Sequence, residues 1–148
     1  MFKNYAVGVI LLALLWAVVN NHQSLPGLSD DRQFEGCDFQ QGSCINQQWL
    51  APIELSAEPD VIKSESEVVF YLVSERFDES VRIEGYLEGK DMYMGKIPLV
   101  FHFRNGLFYA KTMIGACIEQ SMIWQMQLTI DDGSGHVSSV SYEFMSYQ

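Results

Sequence analysis

The chain has 148 residues, 48% of them hydrophobic and 13% aromatic, with 19 acidic side chains against 9 basic ones for a formal net charge of −10. That composition supplies the core of one domain and is too apolar for general disorder. The acidity argues against nucleic acid, whose phosphates need a basic face, and against docking on anionic lipid headgroups.

Tyr5 to Val19 reads YAVGVILLALLWAVV, without a charge. As a helix it spans about 23 Å, somewhat short of a bilayer's hydrocarbon core. Lys3 precedes it, and Asp30 and Asp31 are the first charges after it. That asymmetry predicts a cytoplasmic N-terminus with the rest of the chain outside. Residues 1–21 are therefore expected to be a signal anchor, held in the inner membrane through residues 5–19. A cleaved signal peptide, releasing the domain to the periplasm, is the alternative. Ala17-Val18-Val19 is a poor match to the small residues such cleavage needs. Residues 22–33 are polar, contain Pro26 and Gly27, and read as a linker. Residues 34–148 form the expected folded domain.

Strand signals then follow one another. Ile53, Leu55 and Ala57 mark a short strand, Val68 to Ser74 a nearly continuous and so central one. Val81, Ile83 and Leu87 mark a third. Leu99, Phe101 and Phe103 alternate with Val100, His102 and Arg104, and Asn105-Gly106 turns the chain into Leu107 to Lys111. Met122, Trp124, Met126, Leu128 and Ile130 alternate strictly, and the turn Asp131 to Gly135 leads into Val140, Tyr142 and Phe144. The fold class predicted is all-β: an antiparallel immunoglobulin-like sandwich of about seven strands after an N-terminal hydrophobic helix. A small barrel is the alternative.

Three cysteines allow one disulfide and one free thiol outside the cytoplasm. Cys37 and Cys44 form the local pair, and closing so short a loop is worth roughly 2.5 kcal/mol. Pairing either with Cys117 would staple the N-terminal segment to a late strand. The leftover thiol is either buried as a small hydrophobe or available for metal ligation or redox exchange.

Asp91-Met92-Tyr93-Met94-Gly95 is the most unusual local string. In an extended segment Met92 and Met94 point the same way. Together with Cys117 and Met122 they make a candidate sulfur set for Cu(I), which favours thioether and thiolate ligands. Core filling is the plain alternative, because methionine packs readily in apolar interiors. His22, His102 and His136 do not cluster in sequence, and Asp131-Asp132-Gly133 reads as a hairpin turn rather than a calcium loop. No nucleophile elbow, P-loop or H-E-x-x-H motif is present, and no enzyme is expected.

The C-x6-C of Cys37 and Cys44, the D-M-x-M-G of Asp91 to Gly95, and Cys117 followed by Met122 and Trp124 resemble a small uncharacterised family of membrane-tethered periplasmic proteins from proteobacteria. The resemblance spans about Cys37 to Phe144. It implies a periplasmic setting and brings no substrate or catalytic residue. The functional expectation is a membrane-tethered periplasmic binding or interaction module without catalysis, meeting a protein partner. A copper(I)-handling accessory protein is the alternative, and a thiol-redox partner using Cys117 is the third.

Overall fold

The computed structural model describes residues 36–116 and 118–148. The apolar head, the linker and Cys117 lie outside the described residues. Nine strands and no α-helix occur among those described: β1 (Cys44–Asn46), β2 (Ile53–Glu58), β3 (Glu67–Val73), β4 (Arg82–Gly89), β5 (Lys96–Val100), β6 (His102–Arg104), β7 (Leu107–Met113), β8 (Ser121–Asp131) and β9 (Val137–Tyr147). They form two sheets, ordered β1-β2-β3-β7-β6 and β5-β4-β8-β9, with every strand pair antiparallel. The result is a β-sandwich rather than a barrel.

The long C-terminal hairpin follows its period-two pattern. Met122, Trp124, Met126, Leu128 and Ile130 are buried along β8, and Val140, Tyr142, Phe144 and Ser146 along β9. Ser146 tolerates burial because Trp124 Nε1 donates to its hydroxyl at 2.9 Å. In β4 the inward alternation of Ile83 and Leu87 is interrupted by Gly85. A Cβ there would strike the Gln127 carbonyl and lie 2.8 Å from Leu128 Cδ2, so the glycine lets β8 pack close. Asn105 and Gly106 both have positive φ (53° and 83°), as the Asn-Gly pair between β6 and β7 predicts.

One expectation is corrected. Leu99, Phe101 and Phe103 do not lie on a single strand. The chain leaves the β4 sheet after Val100 and joins β7 in the other sheet at His102, with Phe101 buried at the crossing. Period-two alternation survives a change of sheet, because both sheets share the core that these side chains fill. This split and the three-residue β1 raise the count from about seven to nine among the described residues.

At the opposite edge the disulfide is the local one, Cys37–Cys44, with Cα atoms 5.6 Å apart. Its reach is nevertheless long. The Cys37 amide donates to the Glu143 carbonyl of β9 at 2.6 Å, while Cys44 sits opposite Leu55 of β2. The bond thus ties one sheet to the other. Inside its loop Asp38 accepts from the Gln40 amide at 3.1 Å, and Phe39 turns into the core. The Phe39 ring meets those of Phe70 and Phe144 at 6.3 and 5.9 Å, and Phe70 meets Phe144 at 5.3 Å. Burying such a ring stabilises the fold by roughly 1.5–3 kcal/mol.

Tyr142 adds a polar link across the same gap. Its buried hydroxyl donates to the Ile53 carbonyl of β2 at 3.1 Å, and burial pushes its pKa well above the ordinary tyrosine value. A raised folded-state pKa gives stability that is complete below the unfolded value, about pH 10, and lost as pH rises through the folded one. Tyr142→Phe should therefore lower stability near neutrality by about 1 kcal/mol, since the Ile53 carbonyl loses its donor. It should also flatten the alkaline decline. Urea denaturation at pH 8 and pH 11 checks both, and an equal alkaline loss in the two proteins would contradict the assignment.

Candidate functional site

Strand direction fixes which loops share an end of the sandwich. β4 pairs with β8 so that Gly89 faces Trp124, and Ser121 faces Tyr147 of β9. In the other sheet Met113 of β7 faces Glu67 of β3. The loop after β2 joins them: the Ser64 amide donates to the Tyr147 carbonyl at 2.7 Å and the Glu65 amide to the Ile114 carbonyl at 2.9 Å. The β4–β5 loop, the β7–β8 connection and the ends of β7 and β9 therefore meet at one end.

The D-M-Y-M-G string forms the tip of that β4–β5 loop. Its base is pinned on both sides. The Lys90 amide donates to the Ile123 carbonyl at 2.9 Å, and Lys90 Nζ pairs with Glu143 at 2.7 Å. Lys96 pairs with Glu88 at 3.6 Å and lies 3.7 Å from the centre of the Tyr86 ring. Both cations are thus drawn back onto the sheet, and the tip that remains is apolar apart from Asp91. Tyr93 is 83% exposed there, with Met92 and Met94 exposed beside it. Ile118 on the neighbouring connection is 87% exposed, and Met113 and Tyr147 are exposed at their strand ends. Six of the eleven large apolar side chains exposed among the described residues lie at this one end, which is what makes it a patch rather than scatter.

The proposed sulfur ligands are brought together only in part. Met122 is buried at the start of β8, its methyl against the place where a Gly89 Cβ would be. The Met92 carbonyl approaches the same place, so the loop backbone and the Met122 side chain meet at Gly89. Met92 and Met94 themselves lie on the exposed tip, and Cys117 is outside the described residues. No group of three or more His, Cys, Asp or Glu side chains is placed to hold a metal among the described residues.

The remaining polar candidates have local work. Asp132 accepts from the amide and hydroxyl of Ser134 at 2.9 and 2.7 Å and from the His136 amide at 3.2 Å. The Ser134 hydroxyl bond is the main cause holding the Asp132 carboxyl below its usual range. All three bonds fall on Oδ1 and brace the β8–β9 turn. His136 is within 3.1 Å of the Ser138 hydroxyl, and His102 lies tilted at 45° against Tyr109 with ring centres 5.8 Å apart. The exposed end itself was missed in sequence. Its one visible signal was the apolar Met-Tyr-Met of a turn that ought to be polar.

No family model matches the chain, and no curated protein does. Among solved structures it is similar to the crystal structure of a DUF4426 family protein from Pseudomonas aeruginosa, with a TM-score of 0.47 and 12% identity over 72% of this chain and 96% of that one.

Gly89 is the point of closest packing at this end. Gly89→Ala should force the Met92 backbone away from β8 and cost about 1–3 kcal/mol, as overpacking does. Chemical denaturation of the variant checks it. An unchanged midpoint would show that the loop does not rest on β8 as described.

Proposed function

We propose that the protein is a non-catalytic interaction module, an immunoglobulin-like sandwich held at the inner membrane by residues 5–19 and displayed in the periplasm, that docks a protein partner through its apolar end. The observation that carries this reading is the concentration of Tyr93, Ile118, Met113 and Tyr147 at one end, with Tyr93 on a loop whose base is anchored on both sides. Exposed apolar side chains cost solubility, and the acidic remainder of the surface offsets that cost. Aromatic and methionine side chains are also the types enriched at protein interfaces. Asp78, Asp131 and Asp132 brace turns through hydrogen bonds to nearby amides and serine hydroxyls.

Photo-crosslinking residues placed in the full chain at Tyr93 and Ile118 should give one discrete protein adduct in intact cells. The same residue at Val137 or Val100, exposed elsewhere, should give none. Equal adducts from all four positions, or none from the first two, would defeat the proposal.

A second reading is copper(I) handling, and what favours it is that the backbone of the loop carrying Met92 and Met94 packs beside the Met122 side chain at Gly89. Met92, Met94, Met122 and Cys117 would be the ligands. On this reading an anaerobic Cu(I) titration against a competing chelator gives a saturable site that Met92→Leu with Met94→Leu weakens at least tenfold. Binding unaltered by those substitutions would remove it.

A further inference from the structure

The outer face of the β1-β2-β3-β7-β6 sheet carries a groove of ≈ 410 Å³, a volume suited to a small molecule, running from Arg104 and Leu107 to Lys111, two residues short of Met113 at the apolar end. Register explains its floor. Tyr71 of β3 lies directly opposite Tyr109 of β7, and Tyr109 directly opposite His102 of β6. Val69 and Leu107 extend the floor to either side. A row of aromatic and aliphatic side chains on the solvent face of a sheet is unusual, because that face is ordinarily polar.

The polar groups around the floor are unequal. Lys111 is paired with Glu67 at 2.7 Å, and the Tyr71 hydroxyl donates to Glu58 at 3.2 Å. Arg104, at the other end, forms no ion pair among the described residues and stands beside Asn105. No carboxylate lines the groove, although acidic side chains outnumber basic ones 19 to 9 in the chain. Leu107 to Lys111 spans about 13 Å along β7, so the uncommitted charge sits at one end of a long apolar bed. The backbone groups of β3 and β7 are used in ladders on both sides, so an added peptide strand has nothing to pair with here. Recognition rests on side chains alone.

We propose that this groove binds a small amphipathic carboxylate, its apolar body over Tyr71, Tyr109 and Leu107 and its head on the Arg104 guanidinium. The planar fork of arginine matches a carboxylate with two parallel hydrogen bonds. Of the two cations that line the groove only Arg104 is uncommitted, because Lys111 is paired with Glu67, and a single available charge suits a monoanion better than a phosphate dianion.

The test uses the full chain labelled with 3-fluorotyrosine in zwitterionic nanodiscs, with empty nanodiscs titrated in parallel. Fluorine resonances of Tyr71 and Tyr109 are assigned by Tyr71→Phe and Tyr109→Phe. Added 4-phenylbutyrate should shift both saturably. The uncharged 4-phenylbutan-1-ol should bind at least tenfold more weakly, and Arg104→Gln should weaken 4-phenylbutyrate by a similar factor. Arg104 is exposed, so that variant keeps the fold, which its circular dichroism verifies. Tyr93→Ser should leave binding unchanged, which separates this site from the apolar end. Absence of a saturable shift, equal binding of the alcohol, or undiminished binding by Arg104→Gln would each overturn the proposal.

Discussion

Two face-to-face sheets can splay or slide unless something ties their edges, and in this domain both lateral edges are tied by covalent chain. On one side the backbone itself crosses at Phe101, from β5 in one sheet to β6 in the other. On the other side the link is the Cys37–Cys44 disulfide, spanning from the β9 edge to β1. A bond between residues so near in sequence would ordinarily do no more than close a loop. Here its two ends belong to different sheets, and the loop carries Phe39 between Phe70 and Phe144. The Tyr142 hydroxyl on the Ile53 carbonyl repeats the link in hydrogen-bonded form.

This lateral closure leaves the loop ends of the sandwich free to vary. The β4–β5 loop is anchored by Lys90 and Lys96 and can hold Tyr93 in water without collapsing onto the core. A mobile loop would bury the same side chains at little cost. An anchored one presents them. The outer sheet face offers a different surface, apolar in its floor and cationic at one end. A scaffold closed at both edges can expose an apolar loop end and an apolar sheet face at once.

Most of the strand pattern is legible in the residues. The β8–β9 hairpin and the Asn105-Gly106 turn follow directly from alternation and turn chemistry. The Phe101 crossing is not legible, because alternation reports only which side chains face a core and says nothing about which sheet carries them. Nothing in the sequence marks Phe39, between two cysteines, as a core residue, and its burial depends on β9 lying alongside Cys37. The apolar end is dispersed in sequence over Met92 to Met94, Met113, Ile118 and Tyr147, and strand direction alone gathers it. The Tyr71–Tyr109–His102 row likewise exists only once register is known.

Amide hydrogen exchange on the full chain, oxidised against reduced, tests the closure most directly. Reduction should cost protection at the Cys37 amide and across β1, while the β3–β7 and β4–β8 ladders keep theirs. Unchanged protection of Cys37 and β1, or an even loss through both sheets, would show that the disulfide does not hold the edge of this sandwich.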